Sequence, residues 1–149
     1  MKKNLIISSL LVAVSLSFVA CDKKSETNQS SKIEINDKSN LNLVSGKPNI
    51  IFLTREHCGS CEEMKKTLKT KEISAILESK FNIIFLDINN VSLLPKGLSE
   101  PIGTPTLYFI DAAGVQLVEP LIGATDENSF ISILQSAISE YSAKYPSAK

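Results

Sequence analysis

Cys58 and Cys61 hold the most reactive chemistry in this sequence, with only Gly59 and Ser60 between them. Two cysteines at that spacing come close enough for a disulfide only in a tight turn or in the first turn of a helix. A thiol at a helix N-terminus meets unpaired N–H groups and the positive end of the helix dipole, and both stabilise its thiolate. The thiolate is the nucleophile of disulfide exchange, so the pair suits redox work at neutral pH. The small residues Gly59 and Ser60 are expected to leave Cys58 accessible. Other readings stand beside this one. A purely structural disulfide would close a very short loop and stabilise little. A haem attachment site needs His after the second cysteine, where Glu62 stands. A metal site built from His57, Cys58 and Cys61 would need a fourth ligand from a partner or a second copy. Thr104-Pro105 is the second feature with chemistry in it. An X-Pro bond at the start of a strand can be cis in a loop that closes on a site, or can simply open the strand.

These residues need a scaffold, and apolar patterning supplies one. Asn49 to Thr54 is a continuous apolar run, as expected of a central strand buried on both faces. Gly46-Lys47-Pro48 before it is turn chemistry. Cys61, Met64, Lys65 and Leu68 then fall at helical spacing, with Glu62 and Lys66 one turn apart. Ile73, Ile76, Leu77 and Phe81 form a second helical stripe, and a break near Thr70 would divide the two. Asn82 to Ile88 reads as another buried strand and Thr106 to Ile110 as a strand, while Pro95, Gly97, Pro101 and Gly103 make 89–103 irregular. Asp111 to Gly114 reads as a hairpin turn into a strand over Val115–Val118. Thr125 or Asp126 can cap a final helix with an apolar face of Phe130, Ile133, Leu134, Ala137, Ile138 and Tyr141. Lys32 to Ile35 alternates like a short edge strand. The expected order is β-β-α-β-β-β-α, an α/β architecture with a mixed sheet.

The N-terminal segment has a different character. Lys2 and Lys3 precede an uncharged run from Leu5 to Ala20, the pattern of a secretory signal peptide. The run is slightly short of the roughly 20 residues a membrane span needs. Phe18-Val19-Ala20-Cys21 resembles a bacterial lipobox, with Phe18 where Leu is usual. That resemblance implies a lipid on Cys21, which becomes the mature N-terminus, and two or more acyl chains hold a protein stably on a membrane. Asp22 to Ser31 contains no apolar residue and reads as a flexible tether, spanning about 16–19 Å on average. The expected organisation is a signal peptide over 1–20, a lipidated Cys and tether over 21–31, and a folded domain over 32–149.

Composition narrows the function classes. The 149 residues suit one domain, and 16 basic residues balance 16 acidic ones. That balance argues against nucleic-acid binding, which needs a basic excess to displace counterions. Hydrophobic residues at 43% exclude a wholly disordered chain. With one His and three Cys, a four-ligand zinc site would have to recruit the distant Cys21. An odd, low Cys count also speaks against a disulfide-stapled miniprotein.

Cys58-Gly-Ser-Cys61 after a buried strand, followed by Ile102-Gly-Thr-Pro-Thr-Leu-Tyr-Phe-Ile-Asp-Ala-Ala-Gly114, resembles the thioredoxin superfamily over about residues 32–149. Lys71 to Asn89 is similar to the same region of periplasmic and membrane-anchored thioredoxin-like proteins. The resemblance implies a thioredoxin-like fold, with a mixed central sheet flanked by helices. It implies a cis Thr104–Pro105 bond in a loop facing the cysteines, with the backbone there pairing with substrate like an added strand. It implies that Cys58 attacks a substrate disulfide and Cys61 resolves the mixed disulfide. Several positions depart from thioredoxin itself. His57 replaces the Trp before the first cysteine, and Gly-Ser replaces Gly-Pro. Phe52 aligns with the buried Asp, and its partner Lys is missing from the 83–88 strand. Glu56, His57, Glu62 or water would then deprotonate Cys61, and protonated His57 would stabilise the Cys58 thiolate. The expectation is an envelope thiol–disulfide oxidoreductase, preferably a reductase, with no cofactor and no metal. Its partners would be disulfide-bearing envelope proteins, a membrane thiol electron donor, and the membrane itself through a periplasm-facing lipid anchor. The alternatives are a soft-metal (copper) binding module for cofactor assembly and a disulfide-donating oxidase.

Overall fold

The structure, a computed structural model, describes residues 41–146. The expected signal peptide, Cys21, the tether and the Lys32–Ile35 strand lie outside the described residues. So does the Cys21 lipidation site.

The strands are β1 (Asn49–Thr54), β2 (Asn82–Asp87), β3 (Thr106–Ile110) and β4 (Gln116–Ile122). They form one sheet in the order β2-β1-β3-β4. β1 runs parallel to β2 and antiparallel to β3, and β3 is antiparallel to β4. A parallel pair needs a crossover. Helices α1 (Gly59–Leu68) and α2 (Lys71–Lys80) supply it. They are two helices because Thr70 turns extended, and its hydroxyl donates to the Thr67 carbonyl at 3.1 Å. The short turn at Asp111–Gly114 reverses the chain into β4, and Gly114 takes the positive φ of 80° that such a turn demands. β4 begins at Gln116 and continues to Ile122, beyond the expected Val115–Val118, because an irregularity in its register carries the chain past Pro120. Helix α3 (Glu127–Lys144) follows, and the Asp126 side chain caps it by accepting from the Ser129 N–H at 3.0 Å.

Central strands β1 and β3 are buried on both faces, so each contributes to two cores. Ile50, Phe52, Leu107 and Phe109 face the helices, meeting Met64 and Leu68 of α1, Ile73 and Leu77 of α2, and Phe130, Leu134 and Ala137 of α3. These helical contacts recur at three- and four-residue spacing, as an apolar stripe requires. Ile51, Leu53, Tyr108 and Ile110 form the second core, covered by Leu41, Leu43 and the segment from Ile88 to Leu98. That segment was expected to be irregular from residue 89 on. It opens as two short 3₁₀ turns within Ile88–Leu93, kinked at Asn90, the first started by the Asp87 carboxylate accepting from the Asn89 N–H at 2.8 Å.

Asp111 locks the far end of the sheet to α3. One carboxylate oxygen accepts from the Ala113 and Val115 N–H groups, each at 2.9 Å. The other accepts from Lys144 at 2.7 Å and from the Tyr145 hydroxyl at 2.9 Å.

Candidate active site

α1 begins where β1 has delivered the chain, with only the four residues 55–58 between Thr54 and Gly59. His57 bridges the gap with a positive φ of 52°, uncommon for a residue with a side chain. Cys58 is the N-cap of α1, and its sulfur accepts from the Cys61 N–H at 3.1 Å. The first turn of the helix therefore fastens on the sulfur that would carry negative charge. Cys58 and Cys61 are joined by a disulfide with their Cα atoms 5.2 Å apart.

The second half of the site comes from the loop before β3. The Thr104–Pro105 peptide bond is cis. The Gly123 N–H donates to the Pro105 carbonyl at 2.8 Å, and the Thr106 hydroxyl donates to the Gly103 carbonyl at 2.7 Å. So held, the loop sets Thr104 over the cysteines. The Cys58 sulfur lies 3.5 Å from the Thr104 hydroxyl and 3.6 Å from its carbonyl oxygen. The Ser60 hydroxyl donates to that same carbonyl at 3.2 Å and stands 3.6 Å from the Cys58 sulfur.

This loop corrects one expectation. Small neighbours at 59 and 60 do not leave Cys58 open, because Thr104 covers it from a distant part of the chain. Cys58 is only 6% exposed, and Cys61 is fully buried.

The remaining candidates lie around this centre without entering it. Glu56 and His57 are exposed on the loop, and no hydrogen bond or ion pair of either side chain occurs among the described residues. Glu62 points along the exposed face of α1 and pairs with Lys65 at 2.7 Å. The hydrogen bond from Lys65 holds the Glu62 carboxyl below its ordinary range. Beneath the cysteines, Phe52 faces Phe85 across the β1–β2 pairing with ring centroids 5.0 Å apart. Phe52, where the resemblance would put a buried Asp, is thus one ring of an aromatic stack. Among the described residues no group of three His, Cys, Asp or Glu is gathered to hold a metal, and His57, Cys58 and Cys61 do not form one. No described helix is long and apolar enough to cross a membrane.

Ser60, a small spacer as far as the sequence shows, joins the hydrogen bonding of the site. Its hydroxyl was visible. That its partner carbonyl would lie 44 residues away was not.

No protein-family model matches the chain, and neither does any curated protein. Solved structures do match. A thioredoxin-fold protein from Helicobacter pylori superposes with a TM-score of 0.55 at 19% identity, over 64% of this chain and 73% of that one. A thioredoxin from Thermus thermophilus superposes with a TM-score of 0.54 at 25% identity, over 66% of this chain and 80% of that one. The chain has a thioredoxin-like α/β fold, and its cysteine pair at the head of α1 fits a thiol–disulfide oxidoreductase.

Proposed function

We propose that this protein reduces disulfides in proteins of the bacterial cell envelope, held to the membrane by lipid on Cys21. The observation that carries the redox part is the position of the Cys58 sulfur. It caps α1 through the Cys61 N–H and lies against Thr104 of the cis-proline loop. The first arrangement supports a thiolate, and the second supplies backbone against which a substrate segment can lie extended. Two exposed isoleucines flank that loop. Ile102 precedes it, and Ile122 pairs with Thr106 just after it. Apolar surface of this kind favours a polypeptide over a small polar substrate.

The Cys58 thiolate attacks one sulfur of the substrate disulfide. The substrate S–S bond breaks, and the departing sulfur leaves as a thiolate that takes up a proton. Cys61 then gives up its proton and attacks the Cys58 sulfur, expelling the second substrate thiolate, which is protonated in turn. Two electrons have passed to the substrate, and the enzyme holds the Cys58–Cys61 disulfide. A membrane dithiol donor must return two electrons; of its two protons, one restores the Cys61 thiol and the other goes to solvent, which gave a proton to the first substrate thiolate. Anchoring through Cys21 favours that encounter by raising the effective concentration of enzyme near a membrane donor.

The deciding experiment is the equilibrium reduction potential of the Cys58–Cys61 pair. A value near about −270 mV, that of thioredoxin, supports the reductase direction, and one near about −120 mV makes the protein a disulfide donor. Cys58→Ser is expected to abolish exchange, while Cys61→Ser should accumulate mixed disulfides on Cys58. Normal turnover by the Cys58 variant would sink the scheme. The anchor is tested separately by Cys21→Ser, which should move the protein from the membrane fraction to the soluble one.

A further inference from the structure

The Ser60 hydroxyl has one proton and two acceptors within reach. The Thr104 carbonyl oxygen is 3.2 Å away and the Cys58 sulfur 3.6 Å away. Turning the hydroxyl about its Cβ–Oγ bond moves the proton from one to the other without moving a heavy atom, because a hydroxyl hydrogen rotates freely. Which acceptor wins depends on the charge of the sulfur. A disulfide sulfur is a weak acceptor, so in the oxidised protein the proton belongs on the carbonyl. A thiolate is ionised, and hydrogen bonds to ionised groups are about twice as strong as neutral ones. In the reduced protein the proton belongs on Cys58.

The carbonyl has a consequence of its own. The Thr104 backbone adjoins cis-Pro105, where an extended substrate segment would pair with the chain. Its carbonyl oxygen is the acceptor that such a segment's N–H would seek, and in the oxidised protein Ser60 occupies it.

We propose that Ser60 couples the redox state of Cys58 to substrate pairing: its hydroxyl covers the Thr104 carbonyl while Cys58 is in the disulfide, and uncovers it by turning to the Cys58 thiolate when the pair is reduced. The reduced protein thus presents a free acceptor to substrate, and the oxidised protein returns a competing donor that helps product leave. The substrate part rests on the reductase reading above. The proton's choice of acceptor does not. Ser60 touches the reacting sulfur and is in that sense a catalytic residue. The Thr104 hydroxyl, 3.5 Å from the same sulfur, is a second donor to the thiolate and leaves Ser60 as the one side chain that reaches both acceptors among the described residues.

The test compares the wild type with Ser60→Ala and Ser60→Thr, all as full chains. The Cys58 thiolate is titrated by its ultraviolet absorbance, with Cys58→Ser as the blank. The Thr104 carbonyl carbon is followed by NMR in both redox states. Removing one hydrogen bond to an ionised sulfur should raise the thiol pKa by about one unit in Ser60→Ala, and Ser60→Thr should restore it. Reduction should shift the Thr104 carbonyl resonance in the wild type and in Ser60→Thr, and much less in Ser60→Ala. An unchanged thiol pKa overturns the proposal. So does a raised pKa with a carbonyl shift that is equal in wild type and Ser60→Ala, since Ser60 would then be a plain thiolate donor. Neither readout needs turnover. Exchange with oxidised glutathione, measured on the same samples, tests the oxidoreductase reading apart from the role of Ser60.

Discussion

Replacing Asp111 by Asn should destabilise the fold by an amount that depends on pH in a definite direction. The Asp111 side chain is fully buried and accepts four hydrogen bonds. Asn keeps one acceptor oxygen for the Ala113 and Val115 N–H groups but puts an NH₂ where Lys144 and Tyr145 now donate. The Tyr145 hydroxyl can turn and accept from it. Lys144 cannot, and its half-exposed ammonium goes to water. The loss is therefore about one hydrogen bond to a buried carboxylate, roughly 2 kcal/mol. For a domain of this size that is about 10 °C in melting temperature. Asp111→Ala should cost about 1–3 kcal/mol more, because it also strips the two turn N–H groups of their acceptor.

The pH dependence carries the sharper check. Burial pushes the Asp111 carboxyl up, but the bonds from Lys144, Val115, Tyr145 and Ala113 together outweigh it and hold it below its ordinary value. A carboxyl held low when folded binds more protons when unfolded. Its stabilisation is therefore complete above the ordinary value of about 3.9, and is lost as pH falls through that value and below. Protonated Asp111 resembles Asn in shape and donor pattern, so wild type and variant should converge in acid. Urea or thermal unfolding between pH 7 and pH 2.5 measures the gap directly. Equal stabilities at pH 7, or a gap that fails to narrow as pH falls, would refute the reasoning.

Two further outcomes follow from the site's foundations. Phe52→Ala removes a fully buried ring stacked on Phe85 beneath the cysteines, and should cost about 3–5 kcal/mol in a denaturant titration. His57→Gly should be neutral or stabilising by thermal melt despite the added chain entropy, because glycine accepts the φ of 52° without strain; His57→Val should lose about 1–2 kcal/mol.

Much of the scaffold was legible because its signals are local. The unbroken apolar run at Asn49–Thr54 announced a strand buried on two faces, and it is central in the sheet. The run from Asn82 was expected to be buried likewise, but β2 is half-buried apart from Leu86, while Thr106–Ile110, expected only as a strand, is buried throughout. Periodicity placed Phe130, Leu134, Ala137 and Tyr141 on the inner face of α3, and of the two caps offered, Thr125 and Asp126, it is Asp126 that starts the helix. The break near Thr70 was visible as a pause between two apolar stripes. The length of β4 was not, since Pro120 argues locally against a strand and only the irregular pairing with β3 carries the chain past it.

The sequence by itself determined where the two cysteines sit, between a buried strand and the start of a helix, and hence what chemistry they suit. Strand propensity, helix period and cysteine spacing are properties of neighbours along the chain, and they survive without a fold. Only the tertiary structure decided that Thr104 closes over Cys58, that Ser60 reaches a carbonyl 44 residues away, and that Phe52 meets Phe85. It likewise decided that Lys144 and Tyr145 converge on Asp111. Each of these contacts depends on strand order and register, which bring distant segments within hydrogen-bond range. Spacing along the chain carries no measure of that distance, so burial of the reactive sulfur could be read only from the folded sheet.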